Sequence, residues 1–213
     1  TEGDHVKFGM PLSDIDKINC DNITFIHTHK GSGILNPGGW GETLDKLRTI
    51  LNKFPNVKTI DLGGGFGVKT NGVELDLDKV NEYLGDIDID LAVEPGRYLV
   101  SECGVLLSKV NQIRTKGSYN YIGIDSGMNA LIRPMLYDSY HPIYNLSKIG
   151  RVCETYYNIV GPICESGDIM GKNRFLPNTE IDDIILIENC GAYGRVMAST
   201  YNMKSVPIEI TYE

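Results

Sequence analysis

The sequence predicts an α/β part followed by an all-β part, and three observations carry that expectation. Up to about residue 110, short apolar runs alternate with stretches of helical spacing, the order that gives strand–helix repeats with parallel strands. From residue 105 onward the texture is β. Finally, three successive apolar runs of the first part each end in a loop of glycines or charged residues, and ligand residues at strand ends are what a (β/α)8 barrel offers. The expected organisation is therefore a cofactor-binding part over residues 1–110 and a β-rich part over residues 111–213.

The first strand is expected over residues 23–29, where period-2 alternation puts His27 and His29 on one face. A helix follows over residues 41–54, with Leu44, Leu47, Ile50 and Leu51 at helical spacing. The second strand is residues 57–62, the second helix residues 77–84, and the third strand residues 87–93. Strands are then expected over residues 105–114, 119–125, 151–160, 184–188 and 206–212, interrupted by a short helix over residues 192–200 whose first turn presents Tyr193.

Composition bounds the function. The 213 residues suffice for one or two domains with ample core, and 41% hydrophobic with 23% charged content is globular. A formal net charge of −8 argues against nucleic acid or an anionic membrane as partner, and no apolar run approaches the roughly 20 residues of a membrane span. Five unpatterned cysteines and no signal segment fit a reducing cytoplasm.

The loops carry the chemistry. His27-Thr28-His29-Lys30-Gly31-Ser32-Gly33 joins two imidazoles to a turn whose backbone N–H groups and hydroxyl suit an anion. A flat ring could stack on one imidazole; equally, one histidine could be a core residue, and His-x-His is a metal-binding pattern. Against metal stands the ligand arithmetic. His5 and His141 are the only other histidines, and no Cys-x-x-Cys or His-Glu-x-x-His accompanies them, which leaves open only a carboxylate-rich site.

The second loop, Gly63-Gly64-Gly65-Phe66-Gly67, lets backbone approach a phosphate with no side chain in the way. It departs from the dinucleotide fingerprint, because Val68 and Thr70 stand where glycines are required, and alone it is as compatible with a structural turn. In the third, Glu94 precedes the Pro95-Gly96 turn and Arg97. A carboxylate there can hold the proton of a pyridine nitrogen, and the guanidinium fork matches a phosphate or carboxylate. An aromatic base, a phosphate-sized turn and a carboxylate–arginine couple are together the parts of a pyridoxal phosphate site.

At this point the chain resembles the alanine-racemase-like, fold type III pyridoxal phosphate-dependent decarboxylases. The shared motifs run in order: Lys7-Phe8-Gly9, the His29 to Ser32 turn, Asp61-Leu62 with the glycine run, Glu94-Pro95-Gly96-Arg97, Asp125-Ser126-Gly127-Met128-Asn129, Arg133-Pro134-Met135-Leu136-Tyr137, Tyr140-His141-Pro142, Gly161 to Asp168 with Cys164-Glu165 inside it, and Gly191-Ala192-Tyr193-Gly194. The resemblance implies the C-terminal part of a (β/α)8 barrel followed by a β-sandwich or β-barrel-like domain. It also implies His29 stacked on the ring, Ser32 with Gly63, Gly64 and Gly65 at the phosphate, Glu94 at the pyridine nitrogen, and Gly96, Arg97 and Tyr193 about cofactor and substrate. Cys164 would deliver a proton, and Cys164 and Glu165 would come from the partner of a homodimer with shared active sites.

Within that family the chain is similar to the members that turn meso-diaminopimelate into L-lysine and carbon dioxide. Arg133 and Tyr137 would grip the distal carboxylate and Glu165 the distal amine; a substrate lacking that carboxylate would bring its cationic end against Arg133. The family's cofactor-anchoring lysine lies on the first barrel strand, whereas this chain opens on a mid-barrel motif. Lys30 sits in the phosphate turn, and Lys7, Lys58 and Lys109 have ordinary settings. A fragment is therefore expected, inactive by itself and cut before the last strands. The alternatives are a decarboxylase of ornithine, arginine or lysine, a catalytically silent binding homologue, and a metal-dependent barrel hydrolase.

Overall fold

The computed structural model describes residues 6–70, 72–85 and 87–212; His5 lies outside them. The chain divides into two compact units, one ending at Leu99 and the other beginning at Val100. The division expected near residue 110 falls inside a strand of the second unit, Leu106–Lys116.

The first unit holds three parallel strands, β1 (Phe25–His27), β2 (Thr59–Asp61) and β3 (Asp90–Ala92), in that spatial order, with His27 opposite Asp61 and Asp61 opposite Ala92. Parallel pairing requires crossovers. Helix α1 (Gly38–Arg48) supplies the first and α2 (Leu77–Leu84) the second. The α1 stripe, Trp40, Leu44 and Leu47, packs with Ile60 and Leu62 of the central strand segment and Val80 of α2. Gly41 is required there, since a Cβ would stand 2.9 Å from the Tyr83 carbonyl of α2. The sequence placed the start of α1 three residues late and ran it through residue 54. The helix ends at Arg48, and Leu51–Lys53 forms a separate 3-10 turn. Asp76 accepts the Lys79 N–H at the start of α2, and Gly85, with φ +59°, ends it. A five-residue helix, α3 (Gly96–Val100), follows β3.

The second unit is a six-stranded mixed sheet. Its strands are β4 (Leu106–Lys116), β5 (Tyr119–Ile124), β6 (Ile143–Asn145), β7 (Thr155–Val160), β8 (Ile169–Leu176) and β9 (Ile184–Ile187), in the order β6-β9-β4-β5-β7-β8. The terminal strands β6 and β8 also lie against one another, so the sheet nearly closes around Ile122, Ile159, Met170, Ile185 and Ile187. One pairing, β5 with β7, is parallel, which forces a long crossover through residues 125–154. That crossover carries the short helix α4 (Arg133–Tyr137). The antiparallel β7–β8 pair is joined by residues 161–168, the loop of Cys164.

Two expectations fail here. Residues 206–212 form no strand, and Ile208 and Ile210 are exposed, because among the described residues no sheet edge accepts their backbone. Residues 192–200 form no α-helix either. Tyr193 takes a left-handed φ of +60°, and only Arg195–Met197 makes a 3-10 turn. Strands β6 and β8 were not anticipated.

Candidate functional site

In the first unit the parallel strands deliver three loops to one end, and backbone hydrogen bonds lace them together. Thr28 N–H reaches the Asp61 carbonyl at 2.8 Å, Glu94 N–H the Gly63 carbonyl at 3.0 Å, and Ile34 N–H the Gly65 carbonyl at 2.8 Å. The glycine run fits between its neighbours only because it lacks side chains. A Cβ on Gly64 would stand 2.6 Å from the Glu94 carbonyl, and Cβ atoms on Gly63 and Gly65 would run into the Thr28 and Gly31 carbonyls. Gly63 and Gly65 also hold φ values of +69° and +91°, in the region that glycine enters freely.

The expected side chains gather on this scaffold. Gly64 N–H donates to His29 Nδ1 at 3.2 Å, so that nitrogen carries no proton and the ring is held against the glycine loop. Arg97, at the start of α3, donates from Nη2 to Ser32 Oγ at 3.4 Å across the Gly31–Gly33 turn. Gly96 has open space at its Cβ position, and its N–H donates to the Glu94 carbonyl at 2.8 Å, so it shapes the Pro95 turn. Lys30 points the other way, to Glu42 of α1.

His27 and His29 are not used as a pair. His27 Nε2 faces Glu94 Oε2 at 3.3 Å, and ligand atoms of His27, Asp61 and Glu94 lie within 4.8 Å of one another. This is the carboxylate-rich arrangement that the sequence left open for a cation. Asp61, however, is buried and already accepts the Gly63 N–H at 2.8 Å, and the surrounding Ser32, Arg97 and glycine backbone form a cradle for an anion. These residues fit a flat cofactor with a phosphate arm: imidazole, carboxylate, and a cluster of N–H and guanidinium donors.

In the second unit the β5–β7 crossover buries Arg133 between two aromatic rings. Its guanidinium lies 5.7 Å from the ring centres of both Tyr137 and Tyr193, and Nη2 donates to Ser139 Oγ at 3.2 Å. Burial lowers the Arg133 pKa, opposed by the nearby tyrosines and Cys190. Among the described residues no carboxylate makes an ion pair with it, which leaves a stacked fork suited to an incoming carboxylate. Cys190, behind it, is pushed up to about 12 by burial and is inert packing.

The β7–β8 loop presents Cys164 and Glu165, both exposed. The Tyr201 hydroxyl donates to Glu165 Oε1, and this bond is the main cause of the raised Tyr201 pKa. Sequence reasoning missed Tyr201: it stands 36 residues from Glu165 with only Tyr-Asn as local context.

Comparison with known proteins agrees with this geometry. Residues 1–101 match the pyridoxal binding domain of the pyridoxal-dependent decarboxylases, and residues 77–191 match the C-terminal sheet domain of the same proteins. A diaminopimelate decarboxylase of Archaeoglobus fulgidus is 38% identical over 92% of this chain and 52% of its own length. The crystal structure of diaminopimelate decarboxylase from Helicobacter pylori complexed with L-lysine superposes with a TM-score of 0.68 at 31% identity, over 84% of this chain and 46% of that one. An arginine decarboxylase of Paramecium bursaria Chlorella virus reaches 0.76 at 20% identity, covering 92% of this chain and 58% of that one, a likeness of fold alone. The chain thus spans about half the length of the curated relatives it matches.

Proposed function

Since the chain belongs to the pyridoxal-dependent decarboxylases, we propose that the whole protein removes carbon dioxide from meso-diaminopimelate to give L-lysine. The observation that carries the substrate is Arg133, a buried cation stacked between Tyr137 and Tyr193. Ornithine, arginine and lysine have no distal carboxylate to offer it.

Bound pyridoxal phosphate supplies the electron sink that makes loss of carbon dioxide from the α-carbon feasible. This chain's residues bind, orient and move protons around it. Ser32, Arg97 and the N–H groups of the glycine run hold the phosphate, with Gly96 shaping the turn that brings Arg97 in. His29, fixed through Nδ1, lies against the ring, and Glu94 keeps the proton on the ring nitrogen. Cys164 delivers a proton to the α-carbon through its Sγ. Arg133 and Tyr137 hold the distal carboxylate, and, as the resemblance implies, Glu165 takes the distal ammonium and Tyr193 serves cofactor and substrate.

As the resemblance implies, Cys164 and Glu165 serve the site of a second copy, so the working form is a homodimer. Its place is the cytoplasm, and a formal net charge of −8 disfavours nucleic acid or an anionic membrane as partner. No described helix is long and apolar enough to cross a membrane. The first unit binds cofactor, and the second carries substrate and interface residues.

The test is to purify the full-length protein with pyridoxal phosphate and measure carbon dioxide and L-lysine from meso-diaminopimelate beside ornithine, arginine and lysine. A marked preference for diaminopimelate is expected. Preference for ornithine or arginine would overturn the substrate, and no turnover of any of them would favour a silent binding homologue.

A further inference from the structure

We infer that Asp168 is a positioning residue, whose carboxylate clamps the Cys164–Glu165 loop to the Gly127–Met128 turn and thereby sets where the loop presents its thiol. The inference rests on the reading of Cys164 as proton donor.

Asp168 is 3% exposed, and among the described residues its carboxylate makes no ion pair. A buried carboxylate without a counter-ion is costly, and burial accordingly raises its pKa, opposed by hydrogen bonds from Ile163 and Met128. Those partners come from two segments. Met128 N–H donates to Oδ1 at 2.6 Å, and Ile163 N–H, the residue before Cys164, donates to Oδ2 at 2.7 Å. Two backbone bonds close the loop around the same residue: Gly161 N–H to the Asp168 carbonyl at 3.0 Å, and Asp168 N–H to the Glu165 carbonyl at 3.1 Å.

The positions nearby admit only glycine because the carboxylate takes the space. A Cβ on Gly127 would stand 2.7 Å from both carboxylate oxygens, and one on Gly161 would run into Oδ2. A loop that merely joined β7 to β8 would need no such device, since an antiparallel connection is held by its own ladder. Here a charged acceptor ties the loop to the turn that follows β5. The exposed Cys164 and Glu165 therefore stand on a backbone fixed from beneath at both sides. Asparagine keeps the shape of Asp168 but has one acceptor oxygen, and its amide NH2 would face one of the two N–H donors.

The experiment compares full-length wild type and Asp168→Asn, both loaded with pyridoxal phosphate, by steady-state kinetics on meso-diaminopimelate in H2O and D2O and by amide hydrogen exchange. In the variant, kcat should fall by about tenfold or more, the range of a displaced proton donor. The solvent isotope effect on kcat should grow, and exchange should accelerate in residues 161–168 while β7 and β8 stay protected. Unchanged kcat and loop exchange would overturn the inference. So would exchange that accelerates equally through β7 and β8, because the role would then be structural.

If the variant does not fold, the wild type decides: amides of Ile163 and Met128 exchanging as fast as exposed loop amides would refute the clamp. If the wild type does not turn over diaminopimelate, the functional reading fails, while loop exchange in the variant still judges the clamp.

Discussion

Replacing Arg133 by alanine in the full-length enzyme tests the substrate reading most directly. Arg133 is 9% exposed, and among the described residues the hydrogen bond from its guanidinium goes to the Ser139 hydroxyl. Truncating one partner of a desolvated charge pair costs about 2–5 kcal/mol. Tyr137 and Tyr193, which frame the fork, are both about half exposed, so water reaches the pair and the lower part of the range applies. About 2–3 kcal/mol corresponds to roughly a 30- to 150-fold loss of kcat/KM for diaminopimelate.

The assay is competitive: diaminopimelate is measured beside lysine and ornithine with the same enzyme preparation, and the ratio of kcat/KM values is read. The variant also removes a cation from two tyrosine rings, and any resulting disorder would weaken every substrate alike, so the ratio isolates the carboxylate contact. An Arg133→Ala enzyme that loses the same factor on all three substrates would refute the assignment and make Arg133 a packing residue.

Three further outcomes are expected in the same full-length enzyme. Glu94→Gln should leave cofactor bound, as read by its absorbance, yet slow decarboxylation, because a neutral amide does not hold the proton on the ring nitrogen; unchanged turnover would remove Glu94 from that role. Gly64→Ala should weaken cofactor retention on dialysis, since its Cβ would stand 2.6 Å from the Glu94 carbonyl and push the glycine loop off the β3 end, and full retention would show that the loop tolerates the shift. Tyr201→Phe removes the bond to Glu165 and should raise KM for diaminopimelate several-fold with a smaller change in kcat; a wild-type KM would make that bond incidental.

The legible parts of this chain are those whose pattern is local. The three loops of the first unit announce themselves because each pairs an apolar run with residues of special backbone freedom or charge, and the structure brings His29, Ser32, the glycine run, Glu94 and Arg97 to one end of one sheet. Arg133 and Tyr137 were legible only through the family resemblance, since their spacing of four, one turn of α4, would serve a surface pair equally well. What escaped depends on partners distant in sequence. Strand β8 holds Gly171, Lys172 and Asn173 in its middle, the last with φ +50°, so no alternation marks it, and β7 across a register shift makes it a strand. Residues 206–212 show the opposite case, a good alternation that no edge receives.

Asp168 falls between these cases, and its physics explains why a motif match alone understates it. In the sequence it closes the Gly161 to Asp168 motif with no role of its own. Its burial follows from Gly127 and Gly161, which leave room for a carboxylate, and from Met128 and Ile163, whose amides point into that room. Neither glycine has a positive φ, so neither is there for backbone freedom; an oxygen of Asp168 stands where a Cβ would be at both, joined at Gly161 by the Gly127 Cα. A glycine whose Cβ would have no room identifies what fills the space. Applied to the first unit, the same reasoning shows that Gly64 makes room for the Glu94 carbonyl, so the glycine loop and the residue assigned to the ring nitrogen hold each other in place.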